Sequence, residues 1–222
     1  MKFKKIENGL TNVVGLSEEL QSLYINNLCL ENNSNVLVVT STLYEANKLF
    51  NSISKYTENV YLFPMDEFIA SEASISSPEL EVTRLETLNN IVTKENKKII
   101  ITNLMGLLRF LPNKAKYIEN MIKLTVNTDI NKDNLYRKLC NCGYVPETLV
   151  TKTGEISNRG YILDIFPINE ENAVRIEFWG DTIESIRLFD VNTQLSIKEI
   201  NEITINPFSE FLSDKNIEEE DR

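Results

Sequence analysis

Between Val174 and Trp179 every second residue is apolar. Val174, Ile176 and Phe178 face one way; Arg175, Glu177 and Trp179 face the other. A period of two marks a strand with one buried face and one wet face. Gly180 and Asp181 then read as a two-residue turn, and residues 183–189 run back along the first strand. Residues 161–166 form a third strand of the same kind, closed by Pro167. The pattern predicts an antiparallel meander that must bury its apolar face against something. Residues 133–142 have helical spacing and stop at Gly143, a usual helix terminator. That helix is expected to pack on the meander and complete a small α+β domain over residues 115–199.

Upstream the pattern is different. Val36-Leu37-Val38-Val39-Thr40 is a compact β-branched run, as expected of a strand buried on both faces. Val60-Tyr61-Leu62-Phe63 and Lys97-Lys98-Ile99-Ile100-Ile101-Thr102 are two more short strands, and Thr11-Asn12-Val13-Val14-Gly15 reads as another leading into a turn. Helical patterns lie between them. Ser17 is a good N-cap, with Glu18 and Glu19 in the first turn and Leu20, Leu23, Tyr24, Leu28 and Leu30 following. Residues 42–54 place Leu43, Ala46, Leu49 and Phe50 on one side. Ser77-Pro78-Glu79 opens a third helix, with Pro at the first helical position. A short helix is expected over residues 104–110, closed by Pro112. Alternating strands and helices imply βαβ units and a parallel sheet over residues 1–114. A strand from Ile200 to Ile205 is expected to return to that first domain, so that residues 200–222 belong with it. The acidic run Glu218-Glu219-Glu220-Asp221 reads as a solvated tail.

Composition removes several function classes. The 222 residues carry 23 basic and 33 acidic side chains, a net charge of −10, which opposes a general nucleic-acid binder. Histidine is absent, so Ser-His-Asp and Cys-His catalysis and His-ligated zinc are excluded. The three cysteines, Cys29, Cys140 and Cys142, form no CxxC pair, which fits a reducing, cytoplasmic compartment. No apolar run is long enough for a bilayer, and the basic start Met1-Lys2-Phe3-Lys4-Lys5 leads into no apolar stretch, so no signal peptide is expected.

Four places are candidates for chemistry. Gly15, Ser17 and Gln21 occupy a turn between an expected strand and a helix, where a P-loop would lie. A working P-loop needs further glycines and a lysine to meet phosphates; here Glu18, Glu19 and Gln21 stand instead. A dead nucleotide site and an ordinary capped helix look alike at this point. Phe63-Pro64-Met65-Asp66-Glu67-Phe68 holds paired acids, which read as a solvated loop in the absence of a ligand set. Arg84 and Glu86 read as a surface pair on the helix opened by Ser77. Gly154-Glu155-Ile156-Ser157-Asn158-Arg159-Gly160 reads as a glycine-bracketed connection carrying an exposed arginine. Arg159 is either an interface residue or a structural partner of Asp164 or Glu177.

At this fourth place the sequence resembles a known family. Arg159-Gly160-Tyr161-Ile162-Leu163-Asp164-Ile165-Phe166-Pro167, then Arg175-Ile176-Glu177-Phe178-Trp179-Gly180-Asp181 through Phe189-Asp190 and Thr193-Gln194, closely resembles the signature of a shared module. It is found in the excision-repair protein UvrB and in the transcription-repair coupling factors. Phe63-Pro64-Met65-Asp66-Glu67, Ser77-Pro78-Glu79 and Arg84-Leu85-Glu86-Thr87-Leu88 are similar to the coupling-factor version. So are the degenerate P-loop and the lack of an aromatic hairpin between residues 102 and 116.

The resemblance implies a RecA-like α/β domain with a dead nucleotide site, a small α+β domain that binds UvrA, no cofactor and no catalysis in this N-terminal fragment. It implies recruitment of UvrA to stalled RNA polymerase in transcription-coupled nucleotide excision repair. The full-length family protein is an ATP-dependent DNA translocase that also meets RNA polymerase, DNA and its own C-terminal domain. Arg159 matches an arginine of the UvrA-binding face. Ser157, Asn158, Lys152 and Tyr144 are its expected companions, although Ser157 and the Gly143-Tyr144-Val145 segment each lack a family arginine. A nucleotide-binding module and a UvrB-like DNA-damage binder are the alternatives.

Overall fold

In the computed structural model, residues 9–66 and 77–212 are described. Glu67, Phe68 and the acidic run near the C-terminus, all read from sequence above, lie outside them. The chain divides into two compact units, Met1–Phe110 and Leu111–Arg222.

The first unit follows the alternation read from sequence. Helix α1 (Glu18–Asn32) is capped by the Ser17 hydroxyl, which accepts the Leu20 N–H, and ends at Asn33 in the left-handed conformation. Strand β1 (Val36–Thr40) leads to helix α2 (Leu43–Ile53), where Thr42 and Glu45 form a reciprocal capping box. Strand β2 (Val60–Phe63), helix α3 (Pro78–Thr93), strand β3 (Ile99–Asn103) and the single turn α4 (Leu104–Leu107) complete it. The three strands are parallel in the order β1-β3-β2. Their core joins Val60, Leu62, Ile99 and Ile101 to Ala46 and Ile53 of α2 and Cys29 of α1.

Several expectations for this unit are corrected. Residues 11–14 form no strand, and Val14 is exposed; among the described residues no strand pairs with its backbone. The P-loop-like turn therefore follows irregular chain. β1 is not covered on both faces: among the described residues it is an edge strand, and Leu37 is 56% exposed. α1 buries Ser22 and Cys29 and leaves Leu30 exposed. Ser77 precedes α3 as expected, but its side chain makes no capping bond. α4 ends at Leu107, short of the expected residue 110. Arg84 is not at the surface; it is buried and donates to the Pro64 carbonyl at 3.3 Å.

The second unit opens with helix α5 (Lys114–Glu119) and strand β4 (Ile122–Thr125). Helix α6 (Lys132–Asn141) follows, capped by Asn131 and stopped at Gly143, whose φ is +104°. Six strands then form one sheet. In chain order they are β5 (Val145–Pro146), β6 (Glu155–Arg159), β7 (Ile162–Ile165), β8 (Ala173–Trp179), β9 (Thr182–Phe189) and β10 (Ser196–Ile200). Neighbours are antiparallel except β5 and β6. The last strand, β11 (Glu202–Ile205), pairs antiparallel with β4.

The meander behaves as its period of two requires. Val174, Ile176 and Phe178 are buried, and pack with Ile156, Leu163, Ile165, Ile183 and Ile186 against Leu135 and Leu139 of α6. Gly180 has positive φ at the first position of the two-residue turn, where glycine is favoured. Two expectations change. The strand expected to return to the first unit is β11, and it stays in the second, because Ile203 and Ile205 join Ile122 and Leu124 in the same core. The glycine-bracketed connection is strand β6, with Glu155, Ile156 and Ser157 buried.

Candidate functional site

Strand alternation decides what β6 presents. Ile156 enters the core, so Ser157 and Arg159 lie on the opposite face of the sheet, while Asn158 lies on the α6 side. Strand pairing then extends a polar row across that outer face: Ser157 opposite Asp164, Asp164 opposite Arg175, and Arg175 opposite Arg187.

Asp164 is the centre of this row. Its side chain is 0% exposed, and a buried carboxylate persists only with charged or hydrogen-bonding partners. It has three such bonds. Arg175 donates from Nε at 2.7 Å and from Nη2 at 2.9 Å, a bidentate fork. Arg159 donates from Nη2 at 2.5 Å. The Arg175 guanidinium also donates to Gln194 Oε1 at 3.1 Å and stacks over the Phe189 ring at 4.5 Å. The hydrogen bond to Asp164 raises the Arg175 pKa above its ordinary value. Arg159 differs in one respect: its side chain is 46% exposed, against 16% for Arg175.

Glu177 accepts the Ser185 hydroxyl at 2.8 Å and pairs with Arg187. At one end of the same sheet Trp179 is 79% exposed beside the hairpin turn, and Tyr161 is exposed next to it in chain pairing, its carbonyl accepting the Phe178 N–H at 2.9 Å. Guanidinium groups beside exposed aromatic rings are the residue types enriched at protein interfaces.

The other residues singled out from sequence have different surroundings. Ser157 is buried and donates to the Thr148 carbonyl at 2.9 Å. Asn158 sits by the start of α6, where it meets Lys132 and donates to Asp133 Oδ1 at 3.3 Å. Lys152 is exposed, with Nζ 3.7 Å from Glu155. Tyr144 is buried; its hydroxyl donates to the Asn206 carbonyl at 2.7 Å and its ring packs on Phe208. Of the five, Ser157 and Arg159 lie on the outer face; Ser157 is buried there, and Arg159 is the one that bonds to Asp164. Arg175 and Trp179 were in the signature but not singled out. Their alternation with Val174, Ile176 and Phe178 was the signal that places them on that face.

In the first unit, Gly15 has φ +78° with open space where a Cβ would be. The Ser17 hydroxyl donates to Glu19 Oε2 at 3.1 Å, Glu18 pairs with Lys48 at 2.5 Å, and Gln21 is exposed. Two carboxylates therefore stand at the helix N-terminus, where a phosphate would have to sit. Among the described residues no group of three His, Cys, Asp or Glu is placed to hold a metal, and no helix is long and apolar enough to cross a membrane.

Residues 122–211, from β4 to just past β11, match the model of the UvrB interaction domain. Nearly all of the chain is similar to part of the transcription-repair-coupling factor of Bacillus subtilis (strain 168), 34% identical over 218 residues, 95% of this chain and 18% of that protein. It is 35% identical over 204 residues to the factor of Staphylococcus aureus (strain bovine RF122 / ET3-1), covering 91% of this chain and 17% of that protein. It is 36% identical over 203 residues to the factor of Staphylococcus haemolyticus (strain JCSC1435), covering 90% and 17%. The chain thus spans less than a fifth of the length of these curated relatives. It is a relative of the transcription-repair-coupling factors over nearly all of its length, with the Arg159–Asp164–Arg175 face inside its match to the UvrB interaction domain.

Proposed function

We propose that this chain is the N-terminal part of a transcription-repair coupling factor and serves as a docking module, with no chemistry of its own. The outer face of the six-stranded sheet binds UvrA and so brings excision repair to a stalled RNA polymerase in the cytoplasm. The rest of such a protein supplies ATP-driven translocation on DNA, the contact with RNA polymerase and a C-terminal domain that covers the docking face at rest. The first unit is a RecA-like domain whose P-loop has degenerated; the acids at the start of α1 support this, since they oppose a triphosphate.

One observation carries the reading. Arg159 is half exposed on a regular strand and held at one nitrogen by a buried carboxylate, on the same sheet as the exposed Trp179. Such an arginine offers charge-assisted bonds at little ordering cost. The test is calorimetric titration of the 222-residue chain with UvrA from the same organism, with ATP and Mg²⁺ in a parallel titration. Heat with UvrA and none with ATP is expected. No heat with UvrA overturns the docking role, and heat with ATP overturns the dead nucleotide site.

A further inference from the structure

Gln194, in the turn between β9 and β10, stands in the left-handed region at φ +60°. A glutamine is strained there where a glycine is not. The turn itself does not require it. Asp190 Oδ1 accepts the Asn192 N–H at 3.0 Å, the Thr193 N–H at 2.7 Å and the Thr193 hydroxyl at 3.0 Å. The Asp190 carbonyl accepts the Gln194 N–H at 2.7 Å. These bonds come from backbone and from residues 190–193, so glycine at 194 would keep them all.

The side chain of Gln194 is what a glycine would not supply. Its Nε2 donates to the Val191 carbonyl at 2.8 Å, which fixes the amide. Its Oε1 then accepts Arg175 Nη2 at 3.1 Å. The same Nη2 donates to Asp164 Oδ2 at 2.9 Å, and Asp164 Oδ2 is the oxygen that Arg159 also meets. A continuous chain of bonds thus runs from Gln194 through Arg175 and Asp164 to the half-exposed Arg159. Strained backbone persists where the surroundings hold it in place, and such residues cluster at functional sites.

We propose that Gln194 is a positioning residue of the docking face: it fixes the Arg175 guanidinium and, through the Asp164 carboxylate, the direction of Arg159. This rests on the reading of Arg159 as a contact for UvrA. The Arg175 guanidinium is held by a carboxylate, an amide and the Phe189 ring, so the carboxylate it grips has one orientation. Arg159 is therefore ordered before the partner arrives, which lowers the cost of binding. Without the amide, Arg175 Nη2 keeps only the carboxylate as acceptor. Fork and carboxylate can then turn as a unit, and Arg159 with them.

Four forms of the full chain test this: the unaltered protein, Gln194→Gly, Arg159→Ala and the double variant. UvrA is titrated into each, and thermal unfolding checks the fold. Glycine suits φ +60°, so Gln194→Gly should unfold at nearly the unaltered temperature. It should weaken UvrA binding about fivefold when Arg159 is present, and less than about twofold when Arg159 is already alanine. A merely structural role would not make the loss depend on Arg159. Gln194→Gly binding within about twofold of the unaltered chain overturns the proposal, as does an equal loss in both backgrounds. Should Gln194→Gly unfold at a much lower temperature, Gln194→Asn goes through the same cycle under the same criteria; asparagine tolerates the left-handed backbone and leaves the amide one carbon short of Arg175. Failure of the unaltered chain to bind UvrA, or full affinity in Arg159→Ala, is a different result: it removes the reading of the face, and this role with it.

Discussion

Asp164 and Arg175 face each other directly across β7 and β8, joined by two parallel bonds of 2.7 and 2.9 Å, with the carboxylate wholly buried. The pair ties two central strands together on the proposed docking face. Asp164→Ala leaves the mostly buried Arg175 without its anion, and should cost about 3–5 kcal/mol of stability in urea unfolding. A loss below about 1 kcal/mol would mean that Gln194 and the Phe189 ring suffice to hold Arg175.

Arg159 should behave in the opposite sense. It is half exposed, and Asp164 keeps both Arg175 bonds when it is removed. Arg159→Ala should therefore change stability by less than about 1 kcal/mol. It should weaken UvrA binding by about 1–3 kcal/mol. Unchanged affinity would remove Arg159 from the interface, and a large drop in melting temperature would make it a structural residue.

Gly143 ends α6 with φ +104°, and a Cβ there would lie 2.0 Å from the Phe208 carbonyl oxygen. Backbone cannot move aside as a side chain can. Gly143→Ala should cost about 2–3 kcal/mol, while Gly160→Ala, at φ +57° in open space, should cost about 1 kcal/mol. Equal effects in chemical denaturation would show that the Phe208 segment yields.

How much of this was legible in the sequence depended on where the partner of each segment lay. The β8–β9 hairpin was, because its partner strands adjoin in sequence and Gly180 marks the turn. β4 was not read at all: it has four residues, and its partner β11 lies about eighty residues on. β6 was read as a connection because Glu155, Ser157 and Asn158 are polar. The structure buries Glu155 and Ser157 and satisfies them with hydrogen bonds, which periodicity does not report. β1 was read as fully covered because a continuous apolar run does not distinguish an edge strand from a central one. The site followed the same rule. The pairing of Arg159 with Asp164 was one of two readings open from sequence; the sharing of that carboxylate with Arg175 needed the register.

The capping box on α2 is a local test of the first unit. Thr42 Oγ1 accepts the Glu45 N–H at 3.1 Å while the Glu45 carboxylate accepts the Thr42 N–H at 3.2 Å. Thr42→Ala should destabilise that unit by about 1 kcal/mol. UvrA affinity should not change, because the proposed face lies in the other unit.

Glu155 gives a pH prediction. Burial pushes its carboxyl up, but N–H groups of Thr151 and Lys152, the Thr151 hydroxyl and the Lys152 charge outweigh this and hold its pKa below the ordinary value. A folded pKa lower than the unfolded one stabilises the fold above the unfolded value, about 4.3, and that stabilisation is lost as pH falls through the folded value. Glu155→Gln should therefore be less stable than the unaltered chain at pH 7, with the gap closing in acid below about pH 4. A gap that stays constant over that range would mean the loop is held by shape and not by charge.

The uncovered strand β1 bears on how the protein behaves in a test tube. Val36–Thr40 is an apolar run at a sheet edge among the described residues, with Leu37 and Val39 exposed. Such edges are where copies adhere to one another. At neutral pH the net charge of −10 keeps molecules apart. That protection fades as solutions approach the isoelectric point near 4.7, so turbidity should appear there first, and a lysine in place of Leu37 should delay it.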